Sequence, residues 1–378
     1  MKAKKIFLVL MAIAISIKLA LFVFGTLRVA DSKYGADSLK YLELADTLYE
    51  KGSFSSRGPD GRLHPETFRA PGYPLFLAGL YDAAKVPLNG VIFVQVILTV
   101  LTAWIIYLMA MNIDAKIAAL SATLFLFDLP TTMGSLRLLT ETLFVFFMVL
   151  FMLSFVLYLR QGKVKFLVLS ALIMAALAYI RPGSYYLGGA VVFFIIYANV
   201  PKNITRAIMH AVLFGIMVFS LLGAWQVRNY NSCQLTAFST VAQVNAGYGL
   251  EGSYTREKYP LPHGGMRAGY YFKMISGSLV SFMTRPGSLK YFGSPVLTAM
   301  GKVLAYPFMV FWMVGFIAGV MKAGRNITYQ FLLLIIAYFL FGSAVVVTSA
   351  VGDRFRVPVV PCIAMISAYG WGRLREAQ

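Results

Sequence analysis

Long apolar runs alternate with short basic connections along the whole chain. The runs at residues 6–27, 91–111, 117–131, 138–159, 166–180, 185–198, 208–225, 303–321, 329–347 and 357–371 approach the ~20 residues a helix needs to cross the hydrocarbon. They are apolar on every side, whereas strands of a transmembrane barrel alternate apolar and polar with period two, so a barrel is excluded. The pattern predicts an all-α, polytopic membrane protein of about ten transmembrane helices. Residues 74–84 are apolar but too short to span, and read as an interfacial or re-entrant segment. The first run is too long for a signal h-region and lacks an Ala-x-Ala site after it, so it is expected to be a retained helix.

Two polar stretches interrupt the pattern, residues 28–72 and 226–300. In the first, Tyr41, Leu42, Ala45, Leu48 and Tyr49 recur at helical spacing with Lys40, Glu43, Asp46 and Glu50 between them. That predicts a short amphipathic helix on the membrane surface. The second holds Gly- and Pro-rich pieces such as Tyr259-Pro-Leu-Pro-His-Gly-Gly265, which are loop signals. The expectation is one transmembrane domain over residues 1–378 with two outer loops and no separate soluble domain.

Composition supports lipid as the solvent: 59% of the 378 residues are hydrophobic and 13% charged, against ~25% charged in soluble domains. The net charge of +19 does not indicate nucleic acid, because many of the basic residues lie in short loops between apolar runs. With the N-terminus cytoplasmic, the cytoplasmic segments carry Lys2, Lys4 and Lys5; Lys116; Arg160, Lys163 and Lys165; Lys202 and Arg206; Lys322 and Arg325; Arg373 and Arg375. Both polar stretches then face outward. Were residues 74–84 to span, every later loop would invert and this bias would be lost. Cys233 and Cys362 are expected to be free thiols.

Ionisable residues at membrane depth mark function by default. Here they are Lys18, Asp128, Arg137, Glu141, Arg181, Arg228, Arg354 and Arg356, with Asp353 alongside. All but Lys18 fall at the outer ends of predicted helices, so five arginines from four places meet one face. Snorkelling explains any single arginine, but a converging set at the face where positive charge is scarce suits a phosphate, which guanidinium grips with paired hydrogen bonds. Asp37 reads either as an N-cap or as a general base. Glu66 is placed to pair with Arg69 or to act on substrate, and Glu141 to pair with Arg137 four residues earlier. The three histidines lack ligand spacing, leaving His64 with Asp60 or Glu66 as a weak metal option. No Gly-x-x-x-x-Gly-Lys loop, Gly-x-Ser-x-Gly or His-Glu-x-x-His is present, so ATP-driven pumping has no support.

Six motifs occur in order: Gly35-Ala-Asp-Ser-Leu-Lys-Tyr41; Phe68-Arg-Ala-Pro-Gly-Tyr-Pro-Leu-Phe-Leu-Ala78; Leu139-Thr-Glu-Thr-Leu-Phe144; Ile180-Arg-Pro182; Trp225-Gln-Val-Arg-Asn-Tyr230 with Ser239-Thr240; and Arg354-Phe-Arg-Val-Pro-Val-Val-Pro361. With them the chain resembles the GT-C superfamily of membrane glycosyltransferases, especially bacterial relatives of protein O-mannosyltransferases and lipid A aminoarabinose transferases. The resemblance implies an inverting transfer of a sugar from a polyprenyl-phosphate donor to a lipid, glycan or protein acceptor, on the extracytoplasmic side of the inner membrane. It implies Asp37 as general base, with Glu66 as the alternative. Arg69, Tyr73, Arg137, Glu141, Arg181, Arg228, Arg354 and Arg356 become donor contacts. No cofactor is required, although some distant relatives use a divalent metal. Many relatives carry Asp-Glu where this chain has Asp37-Ser38, and many carry a soluble C-terminal domain, so acceptor specificity is expected from the two outer loops. The rival expectations are a flippase or transporter for a lipid-linked glycan, which would want inverted repeats and polar groups near the midplane, and a polymerase or ligase using a pyrophosphate-linked donor.

Overall fold

The computed structural model describes residues 2–201, 203–245, 266–287, 289, 292–324, 326–346 and 353–376. Helix α1 (Lys2–Leu21) continues through a π-helical turn (Phe22–Thr26). It is followed by α2 (Ser38–Lys51), a hairpin of β1 (Ser55–Arg57) and β2 (Leu63–Pro65), and α3 (Gly72–Leu77), which runs into a second π-helical turn (Ala78–Ala83). The bundle continues with α4 (Leu88–Ile113), α5 (Ala118–Leu126), α6 (Leu129–Ser135), α7 (Glu141–Gln161), α8 (Val164–Ile180), α9 (Leu187–Asn199) and α10 (Ile204–Cys233). Next come α11 (Met266–Thr284), α12 (Pro295–Ala323), α13 (Ile327–Val346), the single turn α14 (Asp353–Arg356) and α15 (Val360–Glu376).

The all-α class holds. Among the described residues, 7 helices are long and apolar enough to cross a membrane. The other expected spans are shorter. The run at 117–131 divides into α5 and α6 because Asp128 caps α6, accepting from the Thr131 backbone N–H at 2.9 Å and the Thr131 hydroxyl at 2.7 Å. Pro130 adds a residue suited to a first helical turn. The second polar stretch is also more helical than its loop signals predict. Helix α10 runs on to Cys233, and α11 lies within the stretch with Ser278 and Phe282, one turn apart, facing inward. The Tyr259–Gly265 piece lies outside the described residues.

Burial separates inner helices from outer ones. Only 17% of the α1 span is buried, against 67% for α7 and 78% for the segment Asp353–Leu374. Helix α7 is apolar all round, and Phe144, Met148, Phe151, Met152 and Phe155 are enclosed by neighbours. Helices α12 and α15 make a close backbone approach, since a Cβ on Gly370 would collide with the Gly315 carbonyl and the Gly319 amide. Small residues spaced four apart permit such helix contacts in a membrane protein, where lipid tails are as apolar as the helices.

The predicted amphipathic helix is α2. It buries Tyr41, Leu44, Ala45 and Thr47 and ends on Gly52 in the left-handed conformation. It rests on α3 and the Ala78–Ala83 turn. There the Asp82 carboxyl is buried; that burial and the neighbouring Asp46 carboxyl push its pKa up to about 6. A carboxyl raised in the folded state favours folding while protonated, and that contribution is lost as pH rises from the ordinary carboxylate range through about 6. Asp82→Asn is therefore expected to raise the melting temperature at pH 7.5 by ~2 °C and to change it little at pH 4. Thermal unfolding in detergent at both pH values checks this, and an equal shift at both would contradict it.

Candidate active site

The residues flagged by charge converge at one end of the bundle. Hydrogen bonds to main-chain carbonyls bring the first polar stretch there. The Leu138 amide donates to the Lys33 carbonyl at 2.9 Å, Arg137 Nη2 to the Tyr34 carbonyl at 2.8 Å, and the Ser38 hydroxyl to the Leu138 carbonyl at 2.8 Å. The 33–38 strap is thus fastened to the turn preceding α7, which sets Asp37 opposite Glu141. Ser38 is the first residue of α2. Its hydroxyl donates to a carbonyl, which an ionised carboxylate cannot do.

Asp37 occupies the N-cap position of α2, yet its carboxylate makes no capping bond. Its oxygens go instead to two guanidiniums, Arg69 Nη2 at 2.9 Å and Arg354 Nη1 at 3.2 Å. Glu141, the first residue of α7, is 1% exposed and accepts from Arg354 Nε. Arg181, just past α8, lies 3.5 Å from the same carboxylate. The result is a continuous ionic chain, Arg69–Asp37–Arg354–Glu141–Arg181, with Arg354 shared between both acids. Glu141 therefore pairs across the bundle, with arginines from beyond α8 and from α14. Burial alone would push the Asp37 carboxyl up, but Arg354 and Arg69 outweigh it and hold its pKa below the ordinary carboxylate range.

Aromatic groups line this chain. Arg69 lies over the Tyr41 ring at 5.7 Å and Arg181 over the Phe355 ring at 5.8 Å. Tyr41 packs edge-on against Tyr73 with centroids 5.1 Å apart. Burial, and behind it the charges of Asp37 and Glu141, push the Tyr41 phenol up to about 12. The sequence placed Tyr41 only on an amphipathic face; its position four residues after Asp37, one helical turn on, was the available signal.

The remaining candidates support the site from behind. Glu66 is buried and its Oε1 accepts from the amides of Phe68 and Arg69 at 2.7 and 3.0 Å, so it shapes the loop that presents Arg69. Arg228, near the end of α10, donates to the Glu66 carbonyl at 3.0 Å and the Phe54 carbonyl at 2.6 Å. The Ser239 hydroxyl donates to the Phe68 carbonyl at 2.6 Å, and the Thr240 amide to the Thr67 carbonyl at 2.9 Å. Tyr73 is fully buried and donates to Gln95 Oε1 at 2.9 Å, while Gln95 Nε2 donates to the Arg137 carbonyl at 2.7 Å. Gln95 was missed, although a glutamine in an apolar run is itself a signal. Gly72 lets α3 approach α8, since a Cβ there would sit 2.6 Å from the Tyr179 carbonyl. Arg356 turns away from the ionic chain, toward Asp128 at 3.9 Å. His64 is exposed on the hairpin and pairs with Asp60 at 3.0 Å. Among the described residues, no group of three or more His, Cys, Asp or Glu side chains is placed to hold a metal ion.

Residues 64–225 match the Dolichyl-phosphate-mannose-protein mannosyltransferase family. No curated protein matches the chain by sequence. The fold is similar to the archaeal oligosaccharyltransferase AglB from Archaeoglobus fulgidus, solved in complex with an inhibitory peptide and a dolichol-phosphate (TM-score 0.59, 15% identity, 99% of this chain and 51% of that one). It is also similar to ArnT from Cupriavidus metallidurans, solved with undecaprenyl phosphate bound (TM-score 0.56, 13% identity, 96% of this chain and 60% of that one). The chain thus spans 51% of the former and 60% of the latter. The chain thus shares its fold with these two solved proteins, and residues 64–225 match the mannosyltransferase family.

Removing one member of a buried ion pair leaves a charge uncompensated, at a cost of about 3–5 kcal/mol. Glu141→Gln is expected to lose stability on that scale, because Arg354 and Arg181 both face it. Asp37→Asn is expected to lose clearly less, since its side chain is 28% exposed. Melting temperatures of the two variants in the same detergent compare them; a larger loss for Asp37→Asn would contradict the assignment of Glu141 as the buried centre.

Proposed function

We propose that the chain is a glycosyltransferase moving a sugar from a polyprenyl-phosphate-linked donor to a hydroxyl acceptor at the extracytoplasmic face, with inversion at the anomeric carbon. The observation that carries this reading is the ionic chain itself, in which three guanidiniums share two carboxylates at one end of a membrane bundle. The arrangement has surplus positive charge where an anionic phosphate would sit, and it keeps an ionised acid beside that charge. Structural relatives solved with dolichol-phosphate and undecaprenyl phosphate support a lipid phosphate as the donor carrier.

In the proposed reaction the acceptor oxygen attacks the anomeric carbon as the bond from that carbon to the phosphate oxygen breaks. Asp37 takes the hydroxyl proton. The departing phosphate gains negative charge, which Arg354, Arg69 and Arg181 stabilise from fixed positions. Glu141 holds Arg354 and Arg181 in place before the donor arrives, and Glu66 and Arg228 hold the loop that carries Arg69. The apolar helices around the site would keep the prenyl tail in the bilayer throughout. The basic short loops argue for a cytoplasmic N-terminus and an outward-facing site.

Purified protein in nanodiscs, given radiolabelled polyprenyl-phosphate sugars and a membrane-lipid acceptor mixture, tests the reading. Label should move to an acceptor in the wild type, and Asp37→Asn should lose at least ~10²-fold of the rate. Equal transfer by the two proteins would remove Asp37 and point to Glu66. Tight donor binding without turnover, with purified acceptors supplied, would favour a flippase.

The arginines also set a pH dependence. With both present, Asp37 stays ionised below the usual carboxylate range, so the acid limb of kcat/KM is expected at correspondingly low pH. Arg69→Ala removes one of its two partners and should move that limb to higher pH. An unchanged limb in the residual activity of Arg69→Ala would mean that another group sets it.

A further inference from the structure

A second polar cluster lies buried behind the ionic chain. Arg356 is 1% exposed. Its Nη1 donates to the carbonyls of Phe282 and Met283, both at 3.1 Å, near the C-terminal end of α11. Its Nη2 lies 3.9 Å from Asp128, and its guanidinium sits over the Trp312 ring at 5.4 Å. Among the described residues its Nε has no hydrogen-bond partner, and Arg356 lines, with Asp128, Trp312 and apolar side chains, a cavity of about 10 Å³, room for at most one water. On the other side of Asp128, the buried Lys18 of α1 donates from Nζ to the Thr132 hydroxyl at 2.5 Å, and that hydroxyl donates to the Asp128 carbonyl at 3.0 Å. Arg356 thus faces the Asp128 carboxylate, while Lys18 reaches the main-chain carbonyl of the same residue through Thr132, so that α1, the start of α6 and α14 are linked at Asp128 and Arg356 adds α11.

The link to the reaction is α14. Arg354 and Arg356 are two residues apart in one helical turn, so their side chains leave the axis roughly 200° apart. One reaches Asp37 and Glu141, the other reaches Asp128 and the end of α11. A turn held on opposite sides by two guanidiniums cannot rotate about its axis without breaking one of the two sets. We propose that Lys18, Asp128 and Arg356 form a positioning network that fixes the orientation of α14 and thereby sets Arg354 for the donor phosphate. Arg356 touches neither acid of the ionic chain; it acts through Arg354. The network also ties the catalytic arginine to α11, a helix that lies wholly within residues 226–300, so movement of α11 reaches the phosphate site through two carbonyls. This inference rests on the proposed reading of Arg354 as a phosphate ligand.

The test uses the full chain in nanodiscs with undecaprenyl phosphate as probe and undecaprenol, which lacks the phosphate, as control. Affinities are measured for wild type, Arg354→Ala, Arg356→Met, Arg356→Lys, Asp128→Asn and the Arg354→Ala/Arg356→Met pair, each with its melting temperature. Arg356→Met should weaken undecaprenyl-phosphate binding roughly tenfold and leave undecaprenol unchanged, and Arg356→Lys should recover part of the loss. In the Arg354→Ala background, Arg356→Met should cause no further loss. Additive losses in the double variant, or wild-type affinity in a folded Arg356→Met, would overturn the positioning role while leaving the phosphate reading intact. Wild-type affinity in Arg354→Ala would overturn both. Should Arg356→Met fail to fold, Asp128→Asn and Arg356→Lys decide, because wild-type affinity in both would overturn the network.

Discussion

The site depends on Arg354. Two carboxylates, one of them almost wholly removed from solvent, stand together at the end of an apolar bundle, and one guanidinium bridges them. Ionised acids in such surroundings persist only when paired and hydrogen-bonded. A planar guanidinium with five donors can serve two acids at once, which an ammonium on a flexible stem does poorly. Arg69 and Arg181 close the two ends of the series. Around it, polar side chains bond backbone: Arg228, Ser239 and Glu66 all act on the loop between β2 and α3, and Gln95 and Ser38 on the turn before α7. The chemistry-bearing groups are therefore held by main chain, which has little freedom to relax when one partner changes.

The class of fold was legible in the apolar runs, and the face carrying the site was legible in the placement of charge. Glu141, Arg181 and Arg354 stood out because carboxylates and guanidiniums are costly at the ends of apolar helices, whereas Asp37 and Arg69 were singled out by the motifs Gly35–Tyr41 and Phe68–Ala78. Their pairing was not legible. Glu141 has an arginine four residues earlier in Arg137, a local arrangement that local reasoning prefers, but its partners come from beyond α8 and from α14. Arg228 and Arg354 look alike in sequence, each an arginine at an outer helix end; one bonds carbonyls and the other carboxylates. A guanidinium donates to either acceptor, and only the three-dimensional neighbourhood distinguishes them. The hairpin was also missed, although Gly58-Pro59-Asp60-Gly61 carries turn residues and Gly61 adopts a positive φ of 74°. Its strands are three residues each, too short for an alternating pattern to register.

The division between inner and outer helices follows from the same constraint. Helix α7 and the Asp353–Leu374 segment, the two most enclosed of the long spans, bear Glu141 and Arg354 at their ends. The outer spans keep apolar faces open to the bilayer: Phe193 of α9, Ile216 of α10 and Met321 of α12 are all exposed. The polar groups thus gather where protein, not lipid, is the surrounding medium. That arrangement permits loops and single turns such as α14 at membrane depth without unsatisfied backbone.

The Asp37–Arg354 contact joins residues 317 positions apart. At synthesis rates of roughly 5–20 residues per second, Asp37 leaves the ribosome some tens of seconds before the arginine that neutralises it. During that interval the amino-terminal helices enter the membrane with the acids of the site not yet joined to this partner. Closure of the ionic chain is then among the last events of assembly. A nascent chain halted before residue 354 would hold most of the bundle but no bridge between Asp37 and Glu141, so the site cannot exist before nearly all of its membrane support does.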